Sequence, residues 1–165
     1  MSAFLLSFAL IFVAELGDKS QLVALWFATR FRWWLVIIGV TVATLVVHLA
    51  STAIGATASE LLPEWLVLGA VGLSFYAFAF WGLRGDSIEE RSTTVPSSIV
   101  ASLSIIITAF FLSELGDKTQ LATISLGGSN DDFLGVWLGS TVGMVAADAL
   151  AIIVGVFAGK RLPER

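Results

Sequence analysis

The sequence predicts an all-α polytopic membrane protein, an inverted-topology repeat of three-helix units with the last helix of the second unit absent. Three observations carry this expectation. Hydrophobic residues make up 57% of the 165 residues and charged ones only 13%, with a mean hydropathy of +0.92. Soluble domains are roughly 45–50% apolar and 25% charged. The apolar runs exceed the roughly 20 residues that a helix needs to cross the hydrocarbon layer, and they lack the alternation of a barrel. Finally, Glu15-Leu16-Gly17-Asp18-Lys19-Ser20-Gln21-Leu22 recurs as Glu114-Leu115-Gly116-Asp117-Lys118-Thr119-Gln120-Leu121, again inside a long apolar stretch.

The first helix is expected over residues 2–29. It lacks a basic n-region and a small-residue cleavage pattern and holds the first charged phrase, so it reads as part of the mature protein and not as a signal peptide. A second helix is expected over 33–57 and a third over 65–84. Trp33, Trp34, Trp65 and Trp81 fall near their ends, where interfacial anchors sit. Residues 85–97 form a polar linker too short to be a domain. The fourth helix, over 98–125, carries the second phrase, and the fifth covers 133–157. The whole of 1–165 is one transmembrane domain, with repeat 1 at 1–84 and repeat 2 at 98–165. Gly39 matches Gly139, Gly55 matches Gly155, and Leu62-Pro63-Glu64 matches Leu162-Pro163-Glu164. The sequence stops at Arg165, where the third helix of the second unit is due. A missing sixth helix is therefore expected, either lost or supplied by a partner such as a second copy in a homodimer, the alternative being that five helices are the complete protein. Gly135, Gly139 and Gly143 form a small-residue face for close helix contact, within the chain or at a dimer seam.

Orientation follows from the basic residues, which collect in short cytoplasmic loops. Arg30, Arg32, Arg84, Arg91, Lys160, Arg161 and Arg165 fall on one side, whereas the loops at 58–64 and 126–132 contain no Lys or Arg and carry Glu60, Glu64, Asp131 and Asp132. The N-terminus should thus face away from the cytoplasm, in a bacterial inner membrane, and the two phrases should enter the bilayer from opposite faces. That is the plan of transporters that bind substrate where two inverted halves meet. The absence of cysteine excludes disulfides, thiolate metal sites and cysteine nucleophiles.

Charged groups in mid-membrane are costly and mark function. Glu15 lies about 20 Å into its helix at 1.5 Å per residue. On a continuous helix, Glu15, Asp18 and Lys19 share a face, as do Glu114, Asp117 and Lys118. Gly17 and Gly116 weaken the helix there and make local unwinding plausible. Pairing of Glu15 with Lys19 and of Glu114 with Lys118 would explain part of the phrase but leave Asp18 and Asp117 over. With all groups ionised, the two phrases sum to a charge of −2, which a divalent cation compensates. The candidate oxygen ligands are Glu15, Asp18, Ser20, Gln21, Glu114, Asp117, Thr119 and Gln120, a set suited to Ca²⁺, Mn²⁺ or Mg²⁺. Buried carboxylates favour protons when the metal leaves, so Glu15 and Glu114 are expected to exchange metal for protons. Lys19 and Lys118 either orient the acids or act as an internal cation in the metal-free state. His48 and Asp148 hold equivalent repeat positions. Asp148 is expected to pair with Lys19 or Lys118 or to join a proton path. His48 relays protons, binds Mn²⁺ through nitrogen, or simply packs.

The doubled E-x-G-D-[KR]-[ST] phrase and the paired three-helix units resemble the small cation/proton antiporter family that includes Golgi calcium and manganese exchangers of eukaryotes and bacterial manganese exporters. The resemblance covers nearly the whole chain. It implies exchange of Mn²⁺ or Ca²⁺ for protons, with the metal as transported substrate and no permanent cofactor. The partners are then the divalent cation, protons and the lipid bilayer, with no nucleic acid. A cation or proton channel using the same carboxylates is the competing reading. An enzyme is not expected, because no nucleophile constellation, cofactor fingerprint or H-E-x-x-H pattern is present.

Overall fold

The computed structural model describes residues 2–63, 65–67, 69–70, 72–73, 76, 80, 96 and 98–159. Their regular elements are helices: α1 (Ala3–Glu15), α2 (Lys19–Arg30), α3 (Trp33–Leu61), α4 (Ile99–Glu114), α5 (Lys118–Ser129) and α6 (Phe133–Gly159). Within the expected 65–84 helix, the described residues are helical. The rest of that helix, the linker apart from Pro96, and the basic residues Arg84, Arg91, Lys160, Arg161 and Arg165 lie outside the described residues.

α3 and α6 are long because their sequences offer no interruption. The 29 residues of α3 rise about 44 Å at 1.5 Å each, enough to cross a bilayer. Trp33–Leu61 and Phe133–Gly155 qualify as membrane spans, and the α4–α5 pair, bent by 71°, makes a third if its halves form one span. With 13 residues, α1 rises only about 20 Å and falls short of a full crossing by itself.

The expectation of unbroken helices over 2–29 and 98–125 is corrected. Both stop at the phrase and restart after a break of three residues. The cause is local. Gly17 and Gly116 both adopt φ 81°, a left-handed conformation that costs other residues about 1–2 kcal/mol. Asp18 N–H then bonds Glu15 O at 3.0 Å and Asp117 N–H bonds Glu114 O at 3.3 Å, tight turns that end each helix. Asp18 starts α2 as its N-cap, its Oδ1 accepting from Lys19 N–H at 2.6 Å. The shared-face argument therefore fails in its premise, since Glu15 ends one helix and Asp18 begins another.

Packing crosses the units. α1 and α2 lie along α6, α4 and α5 lie along α3, and α3 and α6 cross each other. Small residues set these approaches. A Cβ on Gly143 would come within 2.6 Å of Phe8 O, and one on Gly139 would meet the backbone of Phe4. The small-residue face of α6 is thus used inside the chain, against α1. Gly135 instead abuts Asp132, whose Oδ1 accepts from Gly135 N–H at 2.9 Å and caps α6. Gly55 faces the Ile124 carbonyl while Gly155 faces Leu25, and residues 25 and 124 hold equivalent places three residues beyond the two phrases. At the crossing, Thr44 Oγ1 lies 3.6 Å from Met144 Sδ, and Trp137 Nε1 donates to Leu45 O at 2.9 Å. Fully buried Val36, Val40, Ala43, Ile106 and Phe110 fill the adjoining core. Val42, Val46 and Ile54 on α3 and Val142, Leu150 and Ile153 on α6 remain exposed, an apolar exterior suited to lipid.

Candidate functional site

The two helix breaks meet in the interior, because α1 also touches α5. Glu15 and Glu114 end α1 and α4 and are buried, at 0% and 2% exposure. Asp18 and Asp117 begin α2 and α5. One carboxylate oxygen each from Glu15, Asp18 and Asp117 lies within 4.8 Å of the others. Acids of both units therefore share one small volume, while Glu114 stands just outside that closest group.

Hydroxyls brace the glutamates. Ser20 Oγ donates to Glu15 Oε1 in a short hydrogen bond. Thr119 Oγ1 lies 3.5 Å from Glu114 Oε2 and 3.4 Å from Asp117 Oδ2, and serves one of them at a time. The glutamines bond to the backbone of their own turns. Gln21 Oε1 accepts from Gly17 N–H at 2.9 Å while its Nε2 donates to Ala147 O at 3.0 Å, and Gln120 Oε1 accepts from Gly116 N–H at 2.6 Å. Each glutamine thus satisfies a donor that its helix break would leave bare, and Gln21 also ties α2 to α6.

Lys118 reaches across the unit boundary: its Nζ lies 2.5 Å from Asp18 Oδ2. The sequence predicts i, i+4 pairing of Lys118 with Glu114, or pairing with Asp148; among the described residues its ion pair is instead with Asp18 of the first phrase. Asp148 is 1% exposed, and neither of its oxygens has a hydrogen-bond partner. It stands close enough for its charge to act on Glu15, Glu114 and Asp18. His48, one turn after Thr44, lies against the Ser140 backbone without a hydrogen bond to either ring nitrogen. Ser140 precedes Met144 by one turn, so α3 and α6 run antiparallel where they cross. His48 and Asp148 consequently flank the crossing on opposite sides.

Glu15 Oε2, Asp18 Oδ2 and both Asp148 oxygens are buried without hydrogen bonds. Such oxygens are costly inside a protein unless a cation or a proton satisfies them. A cavity of about 390 Å³ between α2 and α6, bordered by Gly17, Asp18, Gln21, Leu22, Leu150 and Val154 among others, opens beside Asp18. Sequence reasoning missed the capping role of Asp18 and Gln21, although their D-x-x-Q spacing is a variant of the capping-box signature. The cross-unit contact of Lys118 had no local signal.

The chain matches the family model described as "Divalent cation/proton antiporter GDT1" over residues 3–90 and 102–165. It belongs to that family. Among curated relatives, the "Putative manganese exporter" of Vibrio cholerae is 34% identical over 99% of this chain and 81% of its own length. A GDT1-like protein of Synechocystis sp. is 28% identical over 100% of this chain and 88% of its own length. The chloroplastic GDT1-like protein 2 of Oryza sativa is also 28% identical, with 99% of this chain covering 56% of its own length. No solved structure matches. GDT1 membership makes the chain a membrane transporter of divalent cations and protons and not an enzyme.

Proposed function

We propose that this GDT1 protein exchanges Mn²⁺ or Ca²⁺ for protons at a mid-membrane site held by Glu15, Asp18, Glu114 and Asp117, where two oppositely inserted units meet. The observation that carries the reading is the approach of Glu15, Asp18 and Asp117 to within 4.8 Å of one another. Carboxylates gathered this closely repel unless a cation or protons join them, and both metals accept such oxygen shells. The printed name of the Vibrio relative supports Mn²⁺.

Ser20 and Thr119 complete or orient the shell, and Gln21 and Gln120 hold the turns that present it. Exchange follows because metal binding needs deprotonated ligands and therefore releases protons. Asp148, lying beside the acids without a partner, carries protons to or from them, while His48 serves the other side of the α3–α6 crossing. Lys19 and Lys118 balance part of the acids' negative charge. The Thr44–Met144 contact supports the inverted arrangement: these positions are equivalent by the repeat, and only residues at a two-fold axis meet their own counterparts.

The test is a metal-competition assay on the purified chain in liposomes under an imposed pH gradient. Mn²⁺ is expected to accumulate against its own gradient, to stop when the pH gradient is collapsed, and to be inhibited by Ca²⁺. Competition between metal and protons further requires apparent Mn²⁺ affinity to rise with pH on the side of metal entry. Metal flux that runs only downhill and ignores the pH gradient would leave a channel as the better account.

A further inference from the structure

Lys118 places its positive charge where the reading above puts the transported cation, and the inference drawn here rests on that reading. We propose that the Lys118 ammonium is a tethered stand-in for the divalent cation: it neutralises Asp18 across the unit boundary in the metal-free state and is displaced when metal binds.

Asp18 is shared between two neighbours. One oxygen set places it with Glu15 and Asp117 in the closest acidic group, and its Oδ2 also faces Lys118 Nζ at 2.5 Å. A metal held by this group and an ammonium held by Asp18 therefore compete for the same charge. The contact is suited to displacement. The Lys118 side chain is 39% exposed whereas that of Asp18 is 13% exposed. The ammonium therefore has room to move aside while the carboxylate stays in place. A divalent ion carries twice the charge of the ammonium and attracts the same carboxylates more strongly.

The tether also connects the units. Lys118 opens α5 directly after Asp117, so one short segment supplies both an acid of the cluster and the competing cation. In the metal-free state the start of α5 is pinned to the start of α2. Metal entry transfers that link to the ion, which then bridges the units through Asp18 and Asp117. Glu15, Glu114, Asp117 and Asp148 stand close enough for their charges to act on Asp18. Lys118 opposes the pull of these acids on a metal ion.

Equilibrium Mn²⁺ binding to the purified full chain, followed by the loss of the free-ion paramagnetic resonance signal, tests this. Lys118→Gln is expected to bind Mn²⁺ about tenfold more tightly than the unmodified chain, and Lys118→Arg to stay within about twofold. The gain should vanish in an Asp18→Asn background, because the ammonium acts through Asp18. Lys118→Ser removes the same charge with less bulk and carries the same expectation if the glutamine variant fails to fold. Unchanged or weaker binding in the folded charge-removing variant overturns the proposal, since a purely structural lysine would not oppose the metal. If the unmodified chain shows no saturable Mn²⁺ or Ca²⁺ binding, the acidic metal site itself is wrong, a result distinct from failure of the lysine's role.

Discussion

Replacing Glu15 or Glu114 with Gln is expected to reduce Mn²⁺ uptake driven by a pH gradient to the background of empty liposomes. Each glutamine keeps the size of the side chain but cannot ionise, so it offers a weaker metal ligand and carries no proton. The glutamates are buried and hydroxyl-braced, so the folded protein tolerates a neutral amide there better than the transport cycle does. Retained thermal stability together with lost uptake is the expected pattern. Normal transport by both variants would remove Glu15 and Glu114 from the mechanism.

The largest effect on folding is expected from Gly143→Leu. A Cβ there already falls 2.6 Å from Phe8 O and 3.2 Å from Phe12 N, and both belong to the α1 backbone, which cannot rotate aside as a side chain can. Leucine would force α1 away from α6 and displace Glu15, at the end of α1, from its partners. Overpacking of this kind costs about 1–3 kcal/mol and sometimes more, and here the backbone contact places the loss at or above the top of that range. Thermal unfolding in detergent should show a large drop in midpoint or no folded species. Gly69→Ala is the control, because a Cβ at Gly69 meets nothing within 4 Å. Equal stability of the Leu and Ala variants would mean that α1 does not pack on Gly143.

The parts of the fold written in local sequence were legible. α3 was expected over 33–57 and runs Trp33–Leu61; α6 was expected over 133–157 and runs Phe133–Gly159. Long apolar segments without Gly-Asp interruptions leave little choice. The phrase was legible as a site of unwinding through Gly17 and Gly116, but not as a helix start. Its continuous-helix geometry failed because Asp18 competes for backbone N–H groups more effectively as an N-cap than as a residue inside a helix. Gln21 looked like a ligand because its amide oxygen is a fair one, yet the same oxygen is what the Gly17 N–H needs once the helix breaks. The contact of Lys118 with Asp18 was beyond sequence reasoning for a different reason. It joins residues 100 positions apart, and only the packing of α1 against α5 and α6 brings them together. Asp148 was expected to face the interior and does, but nothing local distinguished a lysine partner from its present position beside the acids.

The most direct measurement is the anomalous-scattering map of the protein crystallised with Mn²⁺. A single strong peak is expected between Glu15, Asp18 and Asp117, with carboxylate oxygens of both units coordinating the ion and Lys118 withdrawn from Asp18. Mn²⁺ found only at the exposed acids Asp131 and Asp132, with the interior carboxylates still contacting Lys118 alone, would contradict the account.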